Sequence, residues 1–230
     1  KMGCRLILTA RRTDRLEALA AELGTPCRIL PADLADEADC TRLCAALAGE
    51  NIDIFINNAG FGVCGSYLET DAAREEEMIK VNVAAMARLF HFAVRKMDAA
   101  GGGTILNVAS SAGLLPGGPY MAGYYASKAY VVSLTRGVAE ELRENRSPVY
   151  VCALCPGPVN TEFNDRAGVV FALKGITPEF CVEEALLGMM HHKTVIVPSA
   201  FMRLCTGAQK LLPTPLLMPI VARQQKKKLG

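Results

Sequence analysis

The residues with the clearest chemical potential are Tyr124 and Lys128, four positions apart in the segment YYASK. In a helix that begins near Met121, their side chains would lie on one face, one turn apart. A phenol, with a pKa of about 10, is a poor acid or base at neutral pH, but a nearby ammonium group favours the phenolate and lowers that pKa. The spacing therefore predicts a tyrosine that donates a proton to a carbonyl group under reduction. Tyr120 and Tyr125 lack a lysine four residues later, which leaves Tyr124 as the candidate.

A pair of serines follows the apolar run at residues 105–109, which is typical of a buried strand. Open α/β sheets hold their ligands at the carboxyl ends of their strands. Ser111 is therefore expected at the same mouth as Tyr124, 13 residues before it.

Strand-like and helix-like segments alternate along the chain, and this alternation predicts a doubly wound α/β fold, with a parallel sheet and helices on both faces. Crossovers between parallel strands are expected to be right-handed. No repeat or linker divides the sequence, so residues 1–230 are interpreted as a single domain. The predicted strands lie at residues 5–10, 27–31, 52–56, 104–109, 149–155 and 194–197, and the predicted helices at residues 13–24, 37–48, 74–99, 122–145 and 179–191.

The chain as a whole resembles the short-chain dehydrogenase/reductase family. The resemblance runs from about residue 5 to about residue 197, with the motifs in the family's order and spacing. It implies a Rossmann-like fold and an enzyme that transfers hydride between NADP(H) and a carbonyl compound or a secondary alcohol. The matching motifs are NNAG at residues 57–60, Asn82, Ser110 with Ser111, Tyr124-x-x-x-Lys128, and PGPV-x-T at residues 156–161.

The family resemblance also implies roles for the catalytic residues. Ser111, as the second serine of the pair, would hydrogen-bond the carbonyl oxygen, Tyr124 would donate the proton, and Lys128 would lower the tyrosine pKa and bind the nicotinamide ribose. Asn82 would hold a water that connects the lysine to bulk solvent for proton relay. Asparagine is unfavourable in a helix because its amide competes for backbone hydrogen bonds, and this cost suggests a use. A satisfied buried amide is the alternative interpretation of Asn82.

Arg11 and Arg12 follow the first strand-like run, where the adenosine ribose of a dinucleotide would lie. In a dinucleotide fold an acidic residue at this place accepts the ribose hydroxyls, whereas an arginine suits a 2′-phosphate. Two guanidinium groups are strong bidentate partners of a phosphate dianion. We therefore predict NADP(H) in preference to NAD(H), with Asp14 as a helix cap. The alternative is a solvated helix start, which arginine also suits.

Two further segments are expected to contact the dinucleotide. By resemblance, Asp33 and Leu34 contact the adenine, although Asp33 could instead cap the next helix. The small residues around Asn58, Ala59 and Gly60 let the backbone approach the cofactor closely, and Gly60 can adopt a positive φ. A plain turn is the alternative for this second segment.

The segment after the fifth predicted strand is expected to lie along the nicotinamide. By resemblance, Pro156, Gly157 and Val159 fix which face of the ring presents hydride, and Thr161 contacts the carboxamide. Residues 160–180 would then form a substrate lid, and its apolar side chains favour a hydrophobic substrate. Those side chains are Phe163, Val169, Val170, Phe171 and Leu173.

Composition bounds the class of protein. With 51% hydrophobic and 21% charged residues the chain is globular, and a net charge of +2 argues against nucleic-acid or strongly acidic partners. Nine scattered cysteines and no export segment suggest reduced thiols in a cytoplasmic protein. Cys152 and Cys155 have the spacing of a metal or redox pair, but residues three apart on a strand face opposite sides. No metal site is expected.

The C-terminal tail, residues 200–230, combines an apolar helical stripe, several prolines and a basic end. A spanning helix needs about 20 nearly uninterrupted apolar residues, and Arg203, Lys210 and the prolines break this run. Packing on the domain or on a second subunit, in a homodimer or homotetramer, is the favoured interpretation. A membrane surface or a lipid substrate is the alternative, because an apolar stripe beside a basic end is typical of interfacial helices. The stripe consists of Phe201, Leu204, Cys205, Ala208, Leu211 and Leu212, and the basic end of residues 226–228.

A dinucleotide fold of this class opens with a strand, a glycine-rich turn and a helix whose N-terminus holds the pyrophosphate. None of these precedes the strand at residues 5–10. They would amount to about 20–25 residues, with the strand in the middle of the sheet. We therefore expect an upstream segment in the natural protein, poor NADP(H) binding by residues 1–230 alone, and a gap or a closure between the strands at residues 5–10 and 52–56. An inactive fragment, a nucleotide sensor without turnover and an epimerase with retained cofactor are the alternative functions.

Overall fold

The computed structural model describes residues 3–161 and 175–226, and the chain divides into two compact units, before and after the boundary between Asn51 and Ile52. The single-domain assignment stays a prediction. Most of the predicted substrate lid, residues 162–174, lies outside the described residues.

The first unit is a parallel β–α–β–α segment. Strands β1 and β2 pair in parallel, with Leu6 opposite Cys27 and Leu8 opposite Ile29. This pairing requires a crossover, and the helix between the two strands supplies it. The elements are β1 (Leu6–Leu8), α1 (Thr13–Leu23), β2 (Cys27–Ile29) and α2 (Glu37–Ala48).

The helix ends of this unit confirm one predicted signal and correct two. Gly24 ends α1 in the left-handed conformation, with φ of 60°, as predicted. The N-cap position of α1 is Arg12, without a side-chain cap, and Asp14 lies in the first turn, so the prediction of Asp14 as the cap is wrong. The cap of α2 is Asp36, whose side chain accepts a hydrogen bond from the Asp39 amide, so the alternative role of Asp33 as a helix cap is also wrong.

The second unit contains a four-stranded parallel sheet in the order β3-β4-β5-β6. The sheet is held in register by pairs such as Asn57 opposite Asn107 and Leu106 opposite Cys152. Long helices connect these strands, as parallel pairing demands. The elements are β3 (Ile54–Asn57), α3 (Ala72–Ile79), α4 (Met86–Ala99), β4 (Gly103–Val108), α5 (Ala122–Glu144), β5 (Val149–Leu154), α6 (Pro178–Met190), β6 (Val195–Ile196), α7 (Ala200–Ala208) and α8 (Thr214–Lys226).

Helices cover both faces of this sheet, which confirms the predicted fold class. On one face, Phe90 of α4 and Val131 of α5 pack with Ile105 of β4. On the other face, Cys181 and Ala185 of α6 pack with residues of β4, β5 and β6. Cys152 and Cys155 belong to opposite faces, as the strand spacing predicts: the partners of Cys152 include Leu106, Leu154, Cys181, Ala185 and Ile196, and those of Cys155 include Phe90, Ile105, Val131 and Val151.

Two helices differ from their predicted form. The helix predicted at residues 74–99 is α3 and α4 joined by a π-helical segment, Lys80–Ala85. A short π-helical segment inside an α-helix is often found at functional sites. In the tail, Pro219 lies inside α8 and does not end it. Within residues 3–161 and 175–226, no helix is long and apolar enough to cross a membrane.

Candidate active site

The serine pair lies where β4 ends and a short 3₁₀ turn, Ser111–Leu114, begins. Ser110 is extended, with φ of −171° and ψ of 160°, and its Oγ accepts a hydrogen bond of 3.1 Å from the Ala112 amide. The Ser111 amide donates to the carbonyl of Pro156 at 2.8 Å. These bonds hold both serines beside the segment that leaves β5.

Tyr124 and Lys128 lie one turn apart in α5, as their spacing predicts, and both are buried. The Lys128 Nζ donates a hydrogen bond of 2.9 Å to the carbonyl of Val108 and lies 5.9 Å from the centroid of the Tyr124 ring. The lysine therefore ties the first turns of α5 to the carboxyl end of β4. This contact brings the tyrosine and the serine pair to the same edge of the sheet.

Burial dominates the electrostatics of this pair. It raises the pKa of Tyr124 to about 12, while a hydrogen bond with the Ser110 side chain acts in the opposite direction. It also lowers the pKa of Lys128 to about 8. The net shift of the tyrosine pKa is thus upward, where the sequence predicts a downward shift, because a low-dielectric surrounding penalises the charged form of each group.

The structure distinguishes the two serines. The Ser110 side chain interacts with Tyr124 and acts to lower its pKa, whereas Ser111 is buried and contributes its backbone amide to the Pro156 contact. Sequence reasoning selected Ser111 and missed the contact of Ser110. The sequence feature that points to Ser110 is its position directly before a helical turn. Serine is a preferred N-cap residue there, and the cap fixes its hydroxyl at the end of the strand.

Asn82 lies in the π-helical segment and is almost completely buried. Its Oδ1 accepts from the Phe61 amide at 3.1 Å, and its Nδ2 donates to the Phe61 carbonyl at 2.8 Å and to Ser127 Oγ at 3.1 Å. Ser127 in turn donates to the carbonyl of Tyr124 at 2.7 Å. Asn82 thus has the bonds of a satisfied buried amide, which link the segment after β3 to α5, and its role in proton relay stays a prediction.

A second buried polar network supports the site and was missed in the sequence. Asn57 Nδ2 donates to Asn107 Oδ1, and Asn107 Nδ2 donates to Thr135 Oγ1, both at 2.9 Å. This chain of bonds connects β3, β4 and α5 beneath the catalytic edge. The sequence feature that points to this network is Asn107, an asparagine within the apolar run of β4, because a buried amide requires hydrogen-bond partners.

Two glycines allow close approaches at this edge. A Cβ on Gly113 would lie 2.3 Å from the Lys128 carbonyl oxygen, so the 3₁₀ turn can pack against the backbone of α5 only with glycine there. A Cβ on Gly60 would lie 3.0 Å from Asn82 Oδ1 and 3.2 Å from Lys128 Nζ. Gly60 therefore leaves room beside the lysine.

The residues predicted to bind the cofactor lie in both units. In the first unit, Arg11 Nη1 is 3.9 Å from Asp33 Oδ2, with both side chains about half exposed, and Arg12 is exposed at the start of α1. Asp33 also accepts a bond from the Ala35 amide, and Leu34 is half-buried. These residues follow β1 and β2 at their carboxyl ends, as predicted.

The remaining predicted cofactor residues lie in the second unit. Asn58 and Ala59 are exposed after β3. The segment after β5 continues through Pro158, whose carbonyl accepts from Ile176 at 3.0 Å. Pro156, Gly157 and Val159 are half-buried, and Thr161 is exposed.

The tail packs against the loop that carries the serine pair. Gln209 donates a hydrogen bond of 2.6 Å to the Leu114 carbonyl, and Gln225 donates to the Tyr125 hydroxyl. Leu217, Val221 and Gln225 are the buried residues of α8. This agrees with the favoured interpretation of the tail as packed on the domain, and places α8 next to the turn that contains Tyr124.

Comparison with known proteins gives a consistent family match. Residues 1–168 match the family model for short chain dehydrogenase. Nodulation protein G of Rhizobium meliloti (strain 1021) is 32% identical over 161 residues, which cover 69% of this chain and 64% of that protein. Galactitol 2-dehydrogenase (L-tagatose-forming) of Cereibacter sphaeroides is 36% identical over 165 residues, which cover 70% of this chain and 63% of that protein. The chain thus spans less than two thirds of the length of these relatives.

Solved structures show the same likeness. A short-chain dehydrogenase from Sphingobium yanoikuyae, in complex with NADPH, superposes with a TM-score of 0.80 and is 32% identical in sequence. The match covers 91% of this chain and 85% of that chain.

Proposed function

This chain belongs to the short-chain dehydrogenase family, and we propose that it is an oxidoreductase that interconverts a carbonyl compound and an alcohol with a nicotinamide cofactor. The observation that carries the proposal is the cluster of Ser110, Tyr124 and Lys128 at one sheet edge. The Lys128 Nζ is bonded to the Val108 carbonyl at the end of β4 and lies 5.9 Å from the Tyr124 ring, one helical turn away, and the Ser110 side chain acts to lower the Tyr124 pKa. Hydroxyl, phenol and ammonium groups together supply a hydrogen-bond donor for a carbonyl oxygen, a proton source and a positive charge.

Tyr124 is the proposed proton donor. With its pKa raised to about 12, its phenol is protonated at neutral pH and holds the proton to be delivered. Burial by itself disfavours release of that proton, and the Lys128 ammonium, one turn away, is the group proposed to favour the phenolate. Ser110 would hold that oxygen with its hydroxyl, and Ser111, the prediction from the family pattern, is the alternative. Tyr124 belongs to a buried apolar cluster with Met78, Ala112 and Met121, and this surrounding is the basis on which an apolar substrate is proposed.

Lys128 is the proposed contact to the cofactor ribose. A lysine carries three N–H donors, and within the described residues Nζ has one hydrogen-bond partner, the Val108 carbonyl. The glycine at position 60 leaves space on the same side of Nζ. These features fit a ribose with two hydroxyl groups, and the bound nicotinamide would supply the hydride.

The preferred cofactor is proposed to be NADP(H). Arg11 and Arg12 are exposed guanidinium groups at the carboxyl end of β1, where a 2′-phosphate is bound in dinucleotide folds. Asp33 Oδ2 lies 3.9 Å from Arg11 Nη1. The NADPH complex of the Sphingobium yanoikuyae relative supports this assignment.

The test is oxidation of NADPH by the full natural protein in the presence of ketones, 3-oxoacyl thioesters, steroids and sugars, followed by absorbance. A substrate should be found for the wild type, and Tyr124→Phe should bind NADPH and turn that substrate over at least about a hundredfold more slowly. NADPH binding without turnover of any carbonyl compound would favour the nucleotide-sensing alternative. Equal turnover by Tyr124→Phe would remove the proposed proton donor.

A further inference from the structure

The tail presents large apolar side chains to solvent. The exposed fractions are 70% for Leu204, 85% for Leu211 and 62% for Leu216. On each helix these residues have exposed apolar neighbours at helical spacing, Phe201 before Leu204 and Ile220 after Leu216. Phe201, Leu204, Leu211, Leu212, Leu216 and Ile220 are called here the outer apolar strip.

The opposite side of the tail is already packed. Leu217 and Val221, which alternate with the strip residues along α8, are buried, and Gln225 is bonded to Tyr125. Gln209 fixes the preceding turn to the Leu114 carbonyl. Since α8 is docked through this inner side, its strip residues Leu216 and Ile220 face away from the unit to which the tail is attached.

Acidic and basic residues are unevenly distributed along the chain. After Glu184 the sequence has seven lysines and arginines and no aspartate or glutamate. The preceding residues carry 18 basic and 23 acidic side chains, so their net charge is −5, while the whole chain has +2. Six of these seven basic residues lie within residues 200–230, the part of the chain that bears the strip, and one of the six, Arg203, is ion-paired with Glu184 at 2.9 Å.

We infer that the outer apolar strip docks on the surface of an anionic lipid bilayer. An apolar helix side flanked by basic residues inserts at the boundary between headgroups and acyl chains, and basic side chains gain energy from the negative surface potential. A second copy of the chain is a poorer occupant. A two-fold interface sets the same patch against itself, which would bring two sets of basic residues together.

The docked surface would lie close to the candidate active site. α8 carries Leu216 and Ile220 on its exposed side and is bonded to Tyr125 through Gln225, and the preceding turn is bonded to the Leu114 carbonyl through Gln209. A helix with its side chains is about 10–12 Å across, so docking through α8 would bring these contacts near the lipid headgroups. The candidate active site would then lie next to the lipid bilayer, into which apolar carbonyl compounds partition.

The experiment is co-sedimentation of the natural full-length protein with vesicles of phosphatidylcholine alone and of an equimolar mixture of phosphatidylcholine and phosphatidylglycerol. Wild type should bind the anionic vesicles at least about tenfold more strongly than the neutral ones, and salt should weaken that binding. Leu216→Ser/Ile220→Ser should lose binding by at least about tenfold while its circular dichroism and melting temperature stay close to wild type. Neither readout depends on enzyme activity.

A matched pair of charge variants completes the test. Lys227→Glu/Lys228→Glu should weaken binding to the anionic vesicles by at least about tenfold. Arg143→Glu/Arg146→Glu, in the last turn of α5 and just after it, should not. Equal binding of neutral and anionic vesicles, no binding at all, or equal losses in both charge variants would overturn the inference. A wild-type dimer that Leu216→Ser/Ile220→Ser converts to monomers, without lipid binding, would assign the strip to a second copy.

Discussion

The Gln225 side-chain amide donates a hydrogen bond to the Tyr125 hydroxyl, and so joins the last turns of α8 to the residue that follows Tyr124. Both side chains are buried, and burial raises the pKa of Tyr125 far above its ordinary value, so the phenol stays neutral. The other end of the amide, Gln225 Oε1, has no hydrogen-bond partner among the described residues. One end of the Gln225 amide thus ties the last turns of α8 to the catalytic helix.

This attachment gives a prediction about stability. Tyr125→Phe would leave the whole buried amide of Gln225 unpaired and should lower the free energy of unfolding by about 1–3 kcal/mol. Tyr125→Phe/Gln225→Leu removes both polar groups and should recover part of that loss, because a pair replaced by apolar groups is nearly neutral. Urea unfolding of the two single variants and the double variant measures the coupling.

The neighbour of Gln225 provides the control. Gln224 is half-buried at the preceding position of α8, and Gln224→Leu should change stability by less than about 0.5 kcal/mol. If the losses of Tyr125→Phe and Gln225→Leu simply add in the double variant, the two residues do not act as a pair.

The second prediction separates the three tyrosines. Tyr124→Phe should reduce the rate of carbonyl reduction by about 10²–10⁴ and leave cofactor affinity nearly unchanged, because a positioned acid contributes that much. Tyr120→Phe and Tyr125→Phe should keep most of the rate when assayed below their melting temperatures. Initial rates of NADPH oxidation measure the effect. A folded but inactive Tyr125→Phe would mean that Tyr125, and not Tyr124, donates the proton.

Sequence reasoning reaches furthest where a feature is contained in one element. The spacing of Tyr124 and Lys128 lies within α5, predicted at residues 122–145 and found at Ala122–Glu144. β5, predicted at residues 149–155, is Val149–Leu154. In both segments the apolar pattern sets the element, and the element sets which side chains share a face.

Features that depend on contacts distant in sequence were beyond the same reasoning. Ser110 and Ser111 are adjacent, and only the turn after β4 decides which hydroxyl meets Tyr124. The hydrogen bond from Asn57 to Asn107 spans 50 residues. The upward pKa shift of Tyr124 follows from burial depth, which is a property of the packed structure and of no single motif.

The third prediction concerns those two serines. Ser110→Ala should lower kcat/KM by about tenfold to a hundredfold, since it removes the hydroxyl that contacts Tyr124, a hydrogen bond worth about 1–3 kcal/mol. Ser111→Ala keeps the backbone bond to Pro156 and should have the smaller effect. The reverse order, at equal thermal stability, would restore Ser111 as the residue that holds the substrate oxygen.

The fourth prediction concerns cofactor choice. Arg11→Ala/Arg12→Ala should weaken NADPH binding by tenfold or more per arginine, because charge-assisted hydrogen bonds are worth about 1.5–3 kcal/mol each, and should change NADH binding much less. Fluorescence titration of both cofactors in the natural full-length protein measures this. Arg15→Ala, an exposed arginine further along α1, is the control and should affect neither cofactor. An equal loss for NADH and NADPH would mean that the arginines do not read the 2′-phosphate.

The last prediction follows from the buried lysine. The pKa of Lys128 is about 8 in the folded protein and about 10.5 when the chain is unfolded, so between these pH values the unfolded state holds one proton more. Stability then rises with pH, by about 1.4 kcal/mol per pH unit from this group alone. The buried phenol of Tyr124 acts in the opposite sense above pH 10, since the unfolded chain loses its proton first.

Lys128→Met, a variant with an unbranched apolar chain, should lack this rise in stability. Between pH 8 and pH 10, the difference in unfolding free energy between wild type and variant should therefore shift in favour of the wild type. Urea unfolding at pH 7, 8, 9 and 10 measures that difference, and a difference that stays constant with pH would show that the lysine remains charged in the folded protein.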